Sequence, residues 1–324
     1  MPSAIVLRAH GPAEALRLEP IDLPPPAAGE LRLRQTAIGV NFHDVYVRCG
    51  TYRTLALPGV PGIEATAVVE AVGAGVDQWR PGDRVVYVTA RYGAYATHRN
   101  LPASLAWRLP DNIDDALAAA MTVRTLTVEV LTTCVRQAAR GEQVLIHAAA
   151  GGVGRLLAQA ANRHGAVVIG TVGSAEKAEL ARASGCHHVI DYRQQDFVEH
   201  VLALTDGRGV DAVYDSVGHD TVAGSLRCLA RCGHLVIFGQ ASGPCPPIEV
   251  PTLAARSLTV SRPILFDYLE DRERASRLFD RAFHALGSGA IATPTITALP
   301  LAQAGEAHRR LEARHAGTAW VLMP

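Results

Sequence analysis

The stretch between residues 143 and 173 constrains this chain more than any other. It opens with Gln-Val-Leu-Ile-His and passes through Ala148-Ala149-Ala150-Gly151-Gly152-Val153-Gly154. An alanine-rich segment follows, and the stretch closes on Ala166-Val-Val-Ile-Gly-Thr-Val-Gly173. A short apolar run bounded by turn residues predicts a buried strand, and residues 166–172 predict a second one. The glycine cluster between them is a turn, and Leu156, Leu157 and Ala160 fall on one face of a helix. The unit is therefore βαβ, about thirty residues long. Such a turn lets a phosphate approach the backbone at a helix N-terminus, where unpaired N–H groups and the helix dipole favour negative charge. The dinucleotide fingerprint is G-x-G-x-x-G, and Ala149, Gly151 and Gly154 hold its three positions here. Ala149 departs from the rule but is small. A glycine-rich match alone can be a structural turn; flanked by two strand patterns it reads as a dinucleotide-binding turn.

The same alternation continues downstream. Strand patterns at 188–192, 210–215, 234–239 and 258–261 are separated by helical segments near 176–183, 196–204 and 221–230. Another helix is expected before the first strand, through residues 134–139. Six strands with intervening helices predict an α/β doubly wound parallel sheet, which binds dinucleotide where the strand order reverses. Residues before about 125 read differently. The segments 29–37, 65–73 and 83–88 have strand patterns, with Trp79-Arg80-Pro81-Gly82-Asp83 as a turn. A first strand is expected near the N-terminus, a rigid bend at Pro24-Pro25-Pro26, and a short helix over 116–121 capped by Asp114. After Pro263, a helix at 272–286 and a terminal strand at 318–322 follow.

Composition excludes some functions. The 324 residues carry 31 basic and 31 acidic side chains, which removes the electrostatic footprint of a nucleic-acid binder. Apolar residues make up 48%, yet no apolar run approaches the roughly 18 residues of a membrane span. The N-terminal residues lack the order of a signal peptide. Cysteines 49, 134, 186, 228, 232 and 245 are scattered, and a chain this long needs no disulfide staples. Reduced thiols and a cytoplasmic location are expected.

Cofactor choice is read at the end of the second strand, where NAD-selective enzymes place an acid for the ribose 2′-hydroxyl. Here the strand ends Thr171-Val172-Gly173-Ser174, with Lys177 three residues on and Tyr192 after the third strand. A hydroxyl, an ammonium and a phenol suit a 2′-phosphate, which points to NADPH. Ser174 reads equally as a helix cap and Lys177 as a solvated side chain.

With these residues in view, the chain resembles the quinone oxidoreductases, the zeta-crystallin-like group of the medium-chain dehydrogenase/reductase superfamily, essentially end to end. The resemblance lies in Gly39-Val-Asn41-Phe-His-Asp44-Val-Tyr46-Val-Arg48-Cys-Gly50-Thr-Tyr52, Pro61-Gly62-Ile63-Glu64, the turn at 148–154 and Gly170-Thr-Val-Gly-Ser174-Ala-Glu-Lys177. It continues through Val213-Tyr-Asp-Ser-Val-Gly218, Phe238-Gly239 and Arg262-Pro263. It implies a GroES-like β-rich catalytic domain, residues 1–125 with 264–324, around a Rossmann NADPH-binding domain, residues 126–263. It implies that Asn41, Tyr46 and Tyr52 line the nicotinamide side, that Gly151, Gly152 and Val153 meet pyrophosphate, and that Gly173, Ser174, Lys177 and Tyr192 hold the 2′-phosphate. Ser216, Phe238, Gly239 and Ala241 would follow the fourth and fifth strands around the cofactor, and Arg314 would reach it from the C-terminal segment. A homodimer formed through the edge strand at 258–261 is also implied. The chain departs from the pattern at His43, where relatives more often carry an apolar residue, and after Gly317, where many carry lysine.

Zinc-dependent members of the superfamily carry cysteine where Asn41 stands and histidine where Ile63 stands. Neither residue here is a useful zinc ligand, so no metal is expected. Cys228 and Cys232 would share one helical face, a ligand-like cluster that reads better as buried packing. Glu64 is expected to pair with Arg48, and His43, His147 and His234 to be packing histidines without visible partners. Without a Lewis acid, an easily reduced quinone is the expected small-molecule substrate. Tyr46 and Tyr52, in a segment expected to be loop-rich, could stack on it or donate hydrogen bonds, or simply fill space; Asn41 could hold substrate or cap a helix. The alternatives are reduction of activated C=C bonds in enals, enones or enoyl thioesters, and NADPH binding without turnover.

Overall fold

The computed structural model describes residues 1–314 and 316–324. The chain separates into two compact units: Met1–Val123 with Phe279–Pro324, and Arg124–Leu278.

In the first unit, β1 (Ser3–Leu7) and β2 (Leu16–Pro20) pair as an antiparallel hairpin. A larger sheet begins with β3 (Glu30–Gly39), β4 (Glu64–Val72), β5 (Arg84–Val88), β6 (His98–Pro102) and β7 (Trp107–Arg108). Alternation along β3 turns Leu31, Leu33 and Gln35 inward, as period two requires of a half-buried strand. Helix α1 (Phe42–Cys49) follows β3, and α2 (Asp115–Glu129) follows β7.

The second unit contains β8 (Gln143–Ile146), α3 (Gly152–Arg163), β9 (Val167–Val172), α4 (Ala175–Ala183) and β10 (His188–Asp191). Then come α5 (Phe197–Leu204), β11 (Val210–Asp215), α6 (Val222–Cys228), β12 (Leu229–Ile237), α7 (Val250–Ala254), β13 (Thr259–Ser261) and α8 (Leu265–Leu269). Strand order is β10-β9-β8-β11-β12-β13, all parallel, so the order reverses between β8 and β11. β8 and β9 are buried on both faces, which is why they read as continuous apolar runs. Leu145, Ile169, Val213 and Leu235 form the centre of this core.

After α9 (Arg272–Gly287), the chain adds β14 (Thr295–Pro300), α10 (Ala304–Glu312) and β15 (Thr318–Met323). Among the described residues the large sheet of the first unit has order β14-β15-β3-β4-β5-β7, with β6 on β3. Leu31, Leu33, Val69, Tyr87, Leu101 and Trp320 pack its core. The protein is thus an α/β chain with one doubly wound parallel sheet and one mainly antiparallel, GroES-like sheet.

Several local expectations need correction. The segment after Asn41 is not loop but α1. Its β-branched and aromatic residues are mediocre helix formers, and the helix is held by its N-terminal hydrogen bonds and by burial of Val45, Val47 and Arg48. Residues 116–121 begin a much longer helix, which continues from α2 as a π-type turn through Val135, whereas 136–139 are not helical. Thr122, Thr132 and Thr133 each donate their hydroxyl to the carbonyl four residues back, which satisfies these β-branched residues within the helix. The run Asp115–Val135 is long and apolar enough to cross a membrane by composition, contrary to the sequence reading. Yet 67% of its apolar window is buried inside the protein, as in an ordinary core helix. Cys228 closes α6 and Cys232 lies exposed in β12 with φ 60°, so the two do not share a helical face. Finally, α10, β2 and β14 carried no signal that the sequence reading used.

Candidate active site

In the second unit the dinucleotide turn is shaped by close approaches. Gly151 N–H donates to Ala148 O at 2.8 Å and Gly151 caps α3, while Ala148 takes φ 51°. A Cβ on Gly154 would lie 2.3 Å from Ala148 O, so only glycine lets the helix close on the turn. Gly152 and Val153 form the first turn of α3, with amide N–H groups that the helix itself does not use. Ala149, the departure from the fingerprint, is fully buried, and its methyl fills the space that a side chain at Gly170 would need, 2.7 Å away. Glycine on β9 compensates for alanine in the turn.

At the end of β9, Gly173 is overlain by the Tyr192 phenol, whose oxygen is 2.5 Å from where a Cβ would sit. Tyr192 N–H donates to Val172 O at 3.1 Å, and the side chain is 46% exposed. Ser174 caps α4, its Oγ accepting Lys177 N–H at 3.3 Å. Capping uses a lone pair of Ser174 and leaves its O–H to donate elsewhere. The capping reading therefore holds without displacing the phosphate reading. Gly173, Ser174, Lys177 and Tyr192 stand together at one corner of the sheet.

Ser216, Phe238, Gly239 and Ala241 also converge. Ala241 N–H donates to Ser216 O at 3.1 Å and Phe238 N–H to Asp215 O at 2.8 Å; a Cβ on Gly239 would meet Ser216 O at 2.5 Å. Beneath these loops lies a buried polar chain that the sequence reading missed. Asp215 accepts Val217 N–H (2.8 Å), Gly218 N–H (3.0 Å), the Thr221 hydroxyl (2.8 and 2.7 Å) and Ser225 Oγ–H (3.0 Å). Since Ser225 gives its proton to the carboxylate, it accepts from His147 Nε2–H at 3.0 Å, and His147 Nδ1 accepts from Thr171 Oγ1–H at 2.9 Å. Burial pushes the His147 imidazole pKa down, which keeps it neutral. His147 is not merely packing: it links the end of β8 and Thr171 of β9 to Ser225 of α6.

In the first unit, Asn41 precedes α1 and is 9% exposed. Its Nδ2–H donates to Glu64 Oε2 at 3.0 Å, while Glu64 Oε1 accepts Val123 N–H at 2.6 Å. Its backbone N–H donates to Asp44 Oδ2 at 2.9 Å, the return bond of an N-terminal cap. Arg48 does not pair with Glu64 as expected. It holds Glu312 of α10 through both guanidinium amino groups, at 2.9 and 2.8 Å. Further along α1, Tyr46 packs edge-on against Tyr52, with ring centroids 5.0 Å apart and planes at 64°. His43 packs edge-on against Tyr52 at 5.4 Å, and its Nε2 lies 3.0 Å from Tyr92 Oη, which also hydrogen-bonds Thr54. Burial pushes the His43 pKa down to about 4. His43 thus has partners that sequence did not reveal, as does His234, whose Nε2 is 2.9 Å from Ser261 Oγ. Arg314 lies exposed beyond α10 in the left-handed region, φ 57°.

Both units have counterparts in known proteins. A family model described as alcohol dehydrogenase GroES-like domain matches residues 27–111, and one described as zinc-binding dehydrogenase matches residues 152–281. The chain is 40% identical to a quinone oxidoreductase of Pseudomonas aeruginosa, over 100% of both chains. It is also 40% identical to a 2-haloacrylate reductase of a Burkholderia species, over 100% of this chain and 99% of that one. The crystal structure of Escherichia coli quinone oxidoreductase complexed with NADPH superposes with TM-score 0.94 at 39% identity, covering 99% of this chain and 100% of that one. With full-length identity at this level and the same two-sheet fold, the chain belongs to the quinone oxidoreductase family of the medium-chain dehydrogenase/reductase superfamily.

Proposed function

We propose that this protein reduces quinones with NADPH and does so without zinc. The observation that carries the substrate reading is the Asn41 amide, anchored by Glu64, at the start of the helix that carries Tyr46 of the Tyr46–Tyr52 aromatic pair. The protein is an NADPH-dependent oxidoreductase, and its residues fit the cofactor. The first turn of α3 offers backbone N–H groups to a pyrophosphate, and Gly154 keeps that turn close. Ser174, Lys177 and Tyr192 offer donors to a 2′-phosphate and present no carboxylate of their own to repel it. Ser216, Phe238, Gly239 and Ala241 would border the cofactor further along the sheet, and Arg314 would contribute from the C-terminal segment.

When bound, NADPH supplies the hydride. The residues of the chain then orient and polarise. Asn41 would hold the reacting groups in register, and Tyr46 and Tyr52 would form a flat-sided slot for an aromatic acceptor. A quinone accepts hydride readily, so positioning supplies most of what is needed. Zinc, which one matching family description names, does not fit these residues. Asn41 commits its amide to Glu64 and Ile63 is a buried hydrocarbon. Among the described residues there is no group of three or more His, Cys, Asp or Glu placed to hold a metal ion. We further propose a cytoplasmic homodimer, on the family resemblance.

The likeness to 2-haloacrylate reductase favours one second reading, reduction of an activated C=C bond. NADPH consumption measured with quinones, with 2-haloacrylates and enones, and with no acceptor, with and without a strong chelator, decides between them. Rapid quinone turnover resistant to chelator is expected; turnover with the alkenes alone would reject the quinone reading. Lys177→Ala tests the cofactor corner. Loss of a charge-assisted phosphate contact of about 1.5–3 kcal/mol weakens NADPH binding roughly 10–150-fold and leaves NADH binding nearly unchanged. Equal losses for both cofactors would reject the assignment.

A further inference from the structure

Asp44 stands at the third residue of α1, completely enclosed, and ends a hydrogen-bond chain with a fixed direction. Arg48 Nη1 can only donate, so His308 Nδ1 accepts from it, at 3.3 Å. His308 Nε2 must then carry the ring proton, which it gives to Tyr95 Oη at 2.9 Å. Tyr95 O–H is left to donate to Asp44 Oδ2 at 3.2 Å, the oxygen that also accepts Asn41 N–H at 2.9 Å. Asp44 Oδ1 is buried and, among the described residues, has no hydrogen-bond partner. The carboxyl therefore sits with one oxygen held by Asn41 and Tyr95 and the other able to take a proton.

We infer that Asp44 is a positioning residue: as a carboxylate it fixes Asn41 and the first turn of α1 for acceptor turnover, and on taking up a proton it loosens that hold. This rests on the placement of Asn41 in the proposed reaction. A charged acceptor strengthens both hydrogen bonds, and negative charge at the N-terminus of α1 is favoured by the helix dipole. Burial pushes the Asp44 carboxyl up to about 7, against the two hydrogen bonds that lower it. The groups around it come from every packed element. On α1, Arg48 keeps its charge, paired with Glu312, and His43 is pushed down to about 4. From α10, His308 is pushed down to about 3 by burial and by Arg48. From the loop after β5, burial raises both Tyr92 and Tyr95 above the usual phenol range. From β4, Glu64 faces the same cluster through Asn41. Arg48 stays charged, and burial holds the two histidines neutral and the two phenols protonated, so the inferred protonation change falls to Asp44.

The test compares the intact enzyme with Asp44→Asn, which keeps the shape and the accepting oxygen but cannot ionise, and with Tyr95→Phe. At saturating NADPH, wild-type kcat/KM for a quinone should rise about tenfold through an inflection near pH 7. Asp44→Asn should be flat at the low-pH level. Tyr95→Phe, which removes one hydrogen bond to the charged form, should move the inflection upward by about one pH unit. Infrared difference spectra of the cofactor-free protein should show one buried carboxylic acid ionising at the wild-type inflection, a signal missing in Asp44→Asn. An unchanged inflection in either variant overturns the proposal, and so does a flat wild-type profile. The infrared titration does not involve the acceptor. Missing quinone turnover would thus defeat the substrate reading, whereas a missing Asp44 titration defeats this one.

Discussion

Asp44 in the first unit and Asp215 in the second are both completely buried, and each terminates a chain of side chains that includes a neutral histidine. They differ in how many donors reach them. Both oxygens of Asp215 are occupied, by two backbone N–H groups, a threonine hydroxyl and a serine hydroxyl. Among the described residues only one oxygen of Asp44 is, by one backbone N–H and one phenol. Burial penalises a carboxylate in proportion to the hydration it loses, and donors restore it. The comparison therefore separates two uses of a buried acid. Asp215 acts as a knot that ties the loop after β11 to the sheet, under the proposed cofactor residues. Asp44 is a knot with one loose end, under Asn41.

The largest effect should come from untying the tight one. Asp215→Ala strands four donor groups in the interior, at upward of 1 kcal/mol each, so unfolding in urea should show a loss of about 5 kcal/mol. A loss below about 1.5 kcal/mol would mean that the loop after β11 is held by other contacts. Such a result would remove the contrast.

Asp44→Asn should act in the opposite sense and only over part of the pH range. The folded carboxyl is raised from 3.8 to about 7, so between these values the folded state binds the proton more tightly than the unfolded chain. Its stabilising contribution is complete below about pH 4 and is lost as pH rises through 7. Asn at this position cannot lose a proton. Relative to wild type, the variant should therefore gain roughly 3–4 kcal/mol between pH 4 and pH 8. Parallel stability curves for the two proteins across that interval would show that Asp44 is already ionised throughout, like a well-supplied carboxylate.

How much of this could be read from the chain depends on range. The parallel sheet was legible because β8 and β9 carry continuous apolar runs, and the dinucleotide turn because Gly151 and Gly154 have fixed spacing. The cap of α4 by Ser174 was equally local. Helix α1 was not legible, since its stability comes from burial of Val45 and Val47 and from hydrogen bonds at its start, against middling propensity. The two polar chains were invisible for a different reason. His147 meets Ser225 across 78 positions, and Arg48 meets Glu312 across 264. No periodicity marks such pairs. The same blindness produced the wrong pairing of Arg48 with Glu64: sequence gave an acid near a base, and the fold supplied a nearer one on α10. Ala149 is the intermediate case. Its departure from the fingerprint was visible, but the compensating Gly170, on the next strand, could be recognised only once the two methyl-sized spaces were seen to coincide.

The smallest predicted effect concerns the middle links, and it is the sharpest test of whether the two chains differ in kind. Glutamine can replace a neutral histidine as one acceptor plus one donor, whereas leucine supplies neither. His308→Gln should accept from Arg48 and donate to Tyr95 much as the imidazole does. The Asp44 inflection should then stay within about half a pH unit of wild type. His308→Leu leaves Tyr95 Oη without its donor. A phenol that no longer accepts a hydrogen bond donates more weakly, so Asp44 loses support and its inflection should rise by about half a unit to one unit. His147→Leu breaks the corresponding link of the other chain, between Thr171 and Ser225, and should cost about 1–3 kcal/mol in unfolding free energy. It should leave the pH inflection of turnover in place, because Asp215 keeps its two backbone donors and its threonine. Measuring the turnover profile for all three variants decides the matter. If His147→Leu shifts the inflection as far as His308→Leu does, the proton that matters is not on Asp44.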